Sequence, residues 1–175
     1  MKIILEKLLD NISLSQDEAR TVMHRIMSGL YNDAEISGFL IALRSKGESS
    51  EEIAGFAQAM RDNMTPVDTV DGAIDMCGTG GDALGTFNIS TAASFVVAAA
   101  GVPVAKHGNR SMTSKSGSAD VLSALGVNIT LSAEKVSQCI NEIGIGFMFA
   151  PSLHPAMKHA MGARKSLAVR TVVNL

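Results

Sequence analysis

Residues 73–105 read AIDMCGTGGDALGTFNISTAASFVVAAAGVPVA. The segment begins with a short apolar run, Ala73–Met76, that is typical of a buried strand. A glycine-rich stretch follows, and Ser90–Ala100 then has the composition of a helix. Val102–Ala105 is again apolar and strand-like. Because a strand, a loop, a helix and a strand follow one another at this spacing, the segment predicts an α/β unit with a parallel sheet.

The same alternation continues towards the carboxyl end. The further expected elements are helices at Ala119–Leu125 and Ser132–Ile143, and strands at Val127–Thr130, Ile145–Phe149 and Ala168–Leu175. In open parallel sheets, ligands bind beside the carboxyl ends of the strands. Polar loops follow both Met76 and Ala105, so we expect a binding site where these two loops begin.

The first 65 residues have a helical pattern instead. Capping-box spacing occurs three times, at Ser15-x-x-Glu18, Asn32-x-x-Glu35 and Ser49-x-x-Glu52. Helical periodicity then predicts inward faces made of Val22, Met23, Ile26, Met27 and Leu30; of Ile36, Phe39, Leu40 and Leu43; and of Ile53, Phe56, Ala57 and Met60. A further helix at the start would bury Ile3, Ile4, Leu8 and Leu9. We therefore expect a helical domain over residues 1–66 and an α/β domain over residues 67–175.

Composition excludes several classes of function. Of 175 residues, 46% are hydrophobic, which is enough for a core. The net charge of −2 gives no general attraction to nucleic acid or to an anionic membrane. The longest apolar stretch, Ala92–Val104, is too short to span a bilayer. Cys77 and Cys139 match no metal or redox spacing, which favours reduced thiols in a cytosolic protein.

The glycine-rich loop predicts an anion site. Its glycines leave backbone N–H groups uncovered, so that the chain can curl around an anion. Asn88, Ser90 and Thr91 stand at the start of the next helix, where unpaired amides and the positive end of the helix dipole favour phosphate. A flexible turn followed by an ordinary Ser/Thr cap is the alternative.

Two nucleotide motifs are excluded. Gly78-x-Gly80-x-x-Ala83 fits the loose dinucleotide fingerprint, but no helix is expected to begin there. No acid lies between Asp82 and Asp120 that could bind a ribose. Gly80-x-x-x-x-Gly85 has P-loop spacing, but Thr86 stands where that motif requires Lys.

A cationic segment follows the second strand. Lys106–Ser118 contains three basic residues and no acid in a mildly acidic chain, which indicates a small anionic ligand. Lys106 is placed to meet phosphate as a point charge, and His107 and Asn109 offer directional hydrogen bonds. A solvated surface loop is the alternative.

A third set of polar residues is less specific. His154 precedes a proline, and Arg164 and Arg170 follow it. A structural role and a binding role are equally compatible with their positions. The planar guanidinium fork is nevertheless what recognition of a carboxylate requires.

Five sequence blocks occur in the order found in one enzyme family. They are Asp75-x-x-Gly-Thr-Gly-Gly-Asp82, Gly85-Thr-Phe-Asn-Ile-Ser-Thr91, Lys106-His-Gly-Asn-Arg110, Ser116-Gly-Ser-Ala-Asp120 and His154-Pro-Ala-Met157. Together they resemble the anthranilate phosphoribosyltransferases, and the resemblance extends from the N-terminal helices to Leu175. The related pyrimidine nucleoside phosphorylases share the architecture but differ in their phosphate-loop and Lys-rich signatures.

The resemblance implies a fold and an activity. The fold is a small N-terminal helical domain, which forms a homodimer interface, beside the first part of a larger parallel-sheet α/β domain of the nucleoside phosphorylase/phosphoribosyltransferase type. The activity is that of a glycosyltransferase of tryptophan biosynthesis. It transfers the phosphoribosyl group from phosphoribosyl pyrophosphate to the amine of anthranilate, with Mg²⁺, and gives N-(5-phosphoribosyl)-anthranilate and pyrophosphate.

The resemblance also implies site residues. Donor-binding positions are Gly78, Thr79, Gly80, Gly81, Asp82, Thr86, Asn88, Ser90, Thr91, Lys106 and Ser118. Ser90 is also expected to approach Mg²⁺. Positions facing anthranilate are Gly78, His107, Asn109, His154 and Arg164. No covalent nucleophile is identified, and none is required, because the anthranilate amine attacks once the two substrates are held in line.

Two features depart from the family pattern. Ala168 stands where the pattern has Gly, and the family continues well beyond the position of Leu175. The remainder is expected to supply the Asp-Glu pair that binds Mg²⁺, so we expect the 175-residue chain alone to be inactive. The alternatives are a non-catalytic helical dimerisation or binding fragment of such an enzyme and a pyrimidine nucleoside phosphorylase relative.

Overall fold

The computed structural model of the chain describes residues 1–78, 87–111 and 116–174. It contains two compact units. We call Met1–Met64 together with His154–Leu175 the helical unit, and Thr65–Leu153 the α/β unit. Within the described ranges, no helix combines the length and the apolar character that crossing a bilayer requires.

The elements follow one another in the predicted order of a helical region and then an α/β region. In chain order they are α1 (Lys2–Leu9), α2 (Gln16–Met27), α3 (Asp33–Lys46), α4 (Ser50–Asp62), α5 (Ile89–Ala99), β1 (Val104–Gly108), α6 (Ser118–Ala124), α7 (Ala133–Ile143), β2 (Ile145–Phe149), α8 (Ala150–Leu153), a 3₁₀ turn (Pro155–Ala160), α9 (Met161–Leu167) and a second 3₁₀ turn (Val172–Asn174).

The predicted capping boxes are confirmed. Ser15, Asn32 and Ser49 each accept a hydrogen bond from the amide three residues later, and the glutamate at that position accepts from the amide of the capping residue. These reciprocal bonds satisfy amides that a helix N-terminus leaves unpaired. The starts of α2, α3 and α4 are therefore determined locally.

The predicted inward faces are confirmed for α3 and mostly for α2. All four predicted residues of α3 are buried, whereas Leu30 follows the end of α2 and is exposed. The prediction for α1 is wrong for Ile3 and Leu9, which are 72% and 71% exposed. The prediction for α4 is wrong for Ile53 and Ala57.

Close packing against α2 explains the face that α4 buries. A Cβ atom at Gly55 would lie 2.8 Å from the Ala19 Cβ, and it would overlap the Gln16 carbonyl oxygen. Only glycine therefore fits at this contact between α2 and α4. Because α4 turns Gly55 and Ala59 inward, Ile53 lies on its exposed side.

The last 22 residues pack with the helices. Ala160, Ala163 and Val172 belong to the same core cluster as Phe39, whereas the sequence pattern assigned them to the α/β domain. The strand predicted over Ala168–Leu175 is not formed, since the described part of this segment ends in a 3₁₀ turn. Among its described residues, the helical unit contains no strand with which this segment could pair.

Ala168 lies in the left-handed region, with a φ of 52°. This conformation brings the Cβ of an L-residue close to the backbone and costs about 1–2 kcal/mol. The constraint gives a physical reason for the Gly that the family pattern has at this position.

Parallel pairing organises the α/β unit. β1 pairs with β2 in the register Val104↔Ile145 to Gly108↔Phe149, and an isolated parallel bridge joins Ile74 to Val104. The predicted strand over Ala73–Met76 is thus reduced to one bridge. β1 extends past the predicted end at Ala105, because β2 pairs with it as far as Gly108. Lys106 and His107 consequently lie within the strand and not after it.

The strand predicted over Val127–Thr130 is wrong. The Asn128 side chain accepts hydrogen bonds from both the amide and the hydroxyl of Thr130, a local turn that competes with strand pairing. Ile129 is still buried, but it packs with Ala119 and Leu122 of α6.

A buried ion pair links α3 and α4. Glu52 is fully buried and accepts hydrogen bonds from the amides of Leu14 and Ser49 and from the Lys46 ammonium at 2.9 Å. Burial alone would raise the pKa of the Glu52 carboxyl, but these bonds hold it below its ordinary value. Its stabilising contribution is therefore present above the unfolded pKa and is lost as the pH falls through the folded pKa.

We expect Glu52→Ala to lower the free energy of unfolding by about 3–5 kcal/mol, because it leaves Lys46 buried without its partner. Glu35→Ala is the matched control. It removes the same residue from a capping box that has no buried ion pair and should cost about 1 kcal/mol. Urea unfolding of both variants checks the prediction, and equal losses would contradict it.

Candidate functional site

Two hydrogen bonds that involve side chains join β1 to the segment after Ile74, beyond the backbone pairing of the strands. The Asp75 carboxylate accepts a hydrogen bond from the His107 amide at 3.0 Å. The Lys106 ammonium donates to the Met76 carbonyl, also at 3.0 Å. Both bonds join β1 to the backbone that enters the glycine-rich loop. The start of that loop is therefore held against the start of the cationic segment.

Lys106 is more enclosed than the sequence suggested. It is only 3% exposed, and burial lowers the pKa of its ammonium. Its observed contact is with the Met76 carbonyl and not with solvent. A role of Lys106 toward phosphate stays a prediction.

Asp120 organises the second polar loop. Its carboxylate accepts hydrogen bonds from the amides of Ser111 and Gly117, at 2.9 and 2.8 Å, and from the Arg110 guanidinium at 3.0 Å. The two amides, followed by Arg110, lower the pKa of Asp120. This role of Asp120 was not predicted from the sequence, although Gly117-x-x-Asp120 has capping-box spacing.

A side-chain bond joins the two loops. The Asn88 amide group donates to the carbonyl and the hydroxyl of Ser116, at 3.1 and 3.3 Å. Gly78 lies beside Ser90, since a Cβ built on Gly78 would be 3.7 Å from the Ser90 hydroxyl. Ser118 donates to the Asn109 carbonyl at 3.4 Å. The structure thus brings the described donor-binding candidates of the α/β unit into one region.

The start of α5 has the features of an anion site. Asn88 precedes the helix without capping it through its side chain, and the first turn holds no acid. Thr91 is 2% exposed, and its hydroxyl has no hydrogen-bond partner among the described residues. Amides without an intrahelical partner, the helix dipole and a hydroxyl to which no described residue bonds all favour an anionic oxygen at this position.

Three groups with metal-binding chemistry also meet here. Asp75, Cys77 and His107 each offer one ligand atom, and these atoms lie within 4.8 Å of one another. Burial and the Asp75 carboxylate raise the pKa of the Cys77 thiol, and Lys106 partly offsets this. This grouping was not predicted from the sequence, because His107 follows Cys77 by thirty residues and lies on β1.

The remaining acceptor candidates belong to the helical unit. His154 is half-buried at the start of the 3₁₀ turn Pro155–Ala160. Burial lowers the pKa of Arg164, whose Nη1 lies 3.8 Å from the Met161 sulphur. The Arg164 Nε is buried and has no hydrogen-bond partner in the part of the chain that the structure describes.

Five donor candidates lie outside the described residues. They are Thr79, Gly80, Gly81, Asp82 and Thr86. The described candidates in the α/β unit are Gly78, Asn88, Ser90, Thr91, Lys106, His107, Asn109 and Ser118.

Family comparison matches both parts of the chain. The helical bundle domain of a glycosyl transferase family matches residues 2–64, and the a/b domain of the same family matches residues 70–175. The chain belongs to this glycosyl transferase family. The helical bundle match lies within the helical unit, whereas the a/b match covers most of the α/β unit and also His154–Leu175 of the helical unit.

The chain is similar to several anthranilate phosphoribosyltransferases. An anthranilate phosphoribosyltransferase from Cellvibrio japonicus is 54% identical over 176 residues, which is 100% of this chain and 51% of that protein. The solved structure of the Thermus thermophilus enzyme of that name is 44% identical, with a TM-score of 0.90 over 98% of this chain and 52% of that one.

The Saccharomyces cerevisiae anthranilate phosphoribosyltransferase, solved in complex with PRPP and Mg, is 31% identical. Its TM-score is 0.89, over 99% of this chain and 52% of that one. The chain thus spans about half the length of the relatives that it matches.

We expect Asp120→Ala to lower the free energy of unfolding by about 1–2 kcal/mol, because the amides of Ser111 and Gly117 lose their acceptor. Hydrogen exchange at these two amides should accelerate. Asp120→Asn is the matched control, since its carbonyl oxygen can still accept from both amides. The assignment fails if exchange in Asp120→Ala is as slow as in the parent chain.

Proposed function

We propose that the chain forms the donor-binding part of an anthranilate phosphoribosyltransferase. The whole enzyme transfers the phosphoribosyl group of phosphoribosyl pyrophosphate to anthranilate in tryptophan biosynthesis. The observation that carries the proposal is the uncapped start of α5. There a buried Thr91 hydroxyl, to which no described residue bonds, stands beside Ser90, next to a glycine-rich loop.

The donor's phosphates would bind where the two loops meet. Gly78 and the amides at the start of α5 offer N–H donors to phosphate oxygens. The bond from Asn88 to Ser116 keeps the cationic segment next to that helix. We propose that Thr79, Gly80, Gly81, Asp82 and Thr86 complete the site, together with Lys106 and Ser118.

The residues at the start of α5 fit a Mg²⁺ ion that binds together with the phosphates of the donor. The ion prefers oxygen ligands and keeps substrate phosphates among them. Ser90 offers such an oxygen beside the proposed phosphate site. Bound there, Mg²⁺ would neutralise charge on the departing pyrophosphate. In the described ranges, the one cluster of three or more His, Cys, Asp or Glu side chains contains a thiol and an imidazole, so it does not suit this ion.

The chain's own residues would act by positioning. Amides at the start of α5 and the Thr91 hydroxyl would hold the phosphates in place. In the helical unit, the Arg164 fork would bind the anthranilate carboxylate, and His154 is a further candidate contact. In the α/β unit, the candidate acceptor contacts are Gly78, His107 and Asn109. Alignment of the amine with the anomeric carbon then lowers the barrier without a covalent intermediate.

We also propose that the N-terminal helices form a homodimer in the cytoplasm. Several large apolar side chains of the helical unit are exposed, among them Ile3 at 72%, Leu9 at 71% and Leu30 at 67%. Exposed apolar groups of this kind favour association. The two cysteines are free, which agrees with a reducing compartment.

We expect Ser90→Ala and Thr91→Val to weaken the binding of phosphoribosyl pyrophosphate with Mg²⁺ by about tenfold or more, because each removes an oxygen that would meet a charged group. Calorimetric titration of the 175-residue chain measures the effect. Ser94→Ala is the control. It removes a hydroxyl of the same helix that bonds to the Ser90 carbonyl and should leave the affinity unchanged. Equal affinities in all variants would rule out the donor site.

For the acceptor, we expect Arg164→Gln to weaken anthranilate binding by about tenfold or more, because a charge-assisted hydrogen bond is lost. Lys165→Gln removes the same charge from the next, exposed residue and should have little effect. Anthranilate fluorescence, titrated in the presence of the donor and Mg²⁺, compares the two variants. Similar losses in both would show that Arg164 acts only through its charge or through packing.

A further inference from the structure

Asp75, Cys77 and His107 form a compact set of side chains that does not include Ser90 or Thr91, although His107 is also a proposed contact of anthranilate. A carboxylate oxygen, a sulphur and an imidazole nitrogen lie within 4.8 Å of one another. Asp75 and Cys77 are exposed and His107 is half-buried, so solvent reaches the set.

The mixture of donor atoms selects one class of metal ion. Mg²⁺ and Ca²⁺ require oxygen ligands, whereas sulphur and imidazole nitrogen favour Zn²⁺ and similar ions. Three protein ligands and one open position are a common arrangement around zinc. A thiolate and a carboxylate together also balance the charge of a divalent ion.

The observed spacing is close to what such an ion needs. With bonds of about 2.0–2.3 Å, neighbouring ligands of a tetrahedral ion lie about 3.3–3.8 Å apart. The three atoms would have to approach by roughly 1 Å, and rotation of the exposed Asp75 and Cys77 side chains provides this movement.

The fold already fixes the backbone beneath the set. One Asp75 oxygen accepts the hydrogen bond of the His107 amide, which leaves the other oxygen for a ligand. The Lys106 ammonium donates to the Met76 carbonyl, so it anchors the backbone between Asp75 and Cys77. These contacts are supporting interactions of the kind that orient metal ligands.

We propose that Asp75, Cys77 and His107 bind a zinc-class divalent ion, at the entrance to the glycine-rich loop and separately from the proposed Mg²⁺ position. The sequence spacing hides this site, because two ligands precede the loop and the third lies on the neighbouring strand β1. The fourth position would be taken by water.

Titration of the 175-residue chain with Co²⁺ alone tests the proposal. Co²⁺ stands in for Zn²⁺ and gives a sulphur-to-metal charge-transfer band when a thiolate binds it. We expect this band to saturate at one equivalent, to be abolished by Zn²⁺ and to resist excess Mg²⁺. Absence of the band, or its loss with Mg²⁺, would overturn the proposal.

Two variants and one control test Cys77 and Asp75 as ligands. Cys77→Ser should eliminate the band, whereas Cys139→Ser, which changes the other free cysteine, should leave it intact. Asp75→Asn keeps an acceptor for the His107 amide but loses the charge. It should retain the band and weaken affinity by at least about tenfold, since even the loss of supporting groups typically costs about 10- to 100-fold. A band that survives in Cys77→Ser, or disappears in Cys139→Ser, would refute the site.

A measurement on the unaltered chain covers the case in which Cys77→Ser does not fold. Zn²⁺ alone should slow the alkylation of Cys77 and leave that of Cys139 unchanged, as read by peptide mass. Unchanged alkylation of Cys77 at saturating Zn²⁺ would also overturn the proposal.

Discussion

Pairing of strand β1 along both of its edges is the constraint on which the α/β unit depends. Ile74 pairs with β1 on one side and β2 pairs with it on the other, all in parallel. Parallel strands send their following loops to the same edge of a sheet. The bonds from Lys106 to Met76 and from His107 to Asp75 extend this alignment past the ladder. Segments thirty residues apart therefore begin side by side.

Elements with local determinants could be predicted from the sequence, whereas predictions of elements that depend on a partner were correct in some cases and wrong in others. Ser15, Asn32 and Ser49 cap helices through side chains within three residues, so the sequence alone contains the signal. An apolar run becomes a strand only if a neighbouring strand accepts its backbone. Ile145–Phe149 has such a neighbour in β1, whereas the described residues of the helical unit, which include residues 168–174, contain no strand.

The same distinction between local and partner-dependent features applies to the candidate site. Motifs predicted which segments carry polar chemistry, and the structure brings the described ones of the α/β unit together. They did not predict that Lys106 would be buried or that Asp120 would hold two amides. The motifs also gave no indication that Cys77 lies close to His107. In each case the partner comes from another segment, and the distance between segments is set by the sheet and not by the motif.

The way in which polar groups are satisfied distinguishes scaffold residues from binding residues. Asp120 and Glu52 are saturated by amides and a cation of the chain itself, so their hydrogen bonds are used in folding. The Thr91 hydroxyl and the Arg164 Nε are buried, and within the described ranges nothing bonds to them. A buried group of this kind costs about 1–3 kcal/mol while it has no partner. This cost remains in the folded chain. The binding of an oxygen-rich anion at Thr91, or of a carboxylate at Arg164, would remove it.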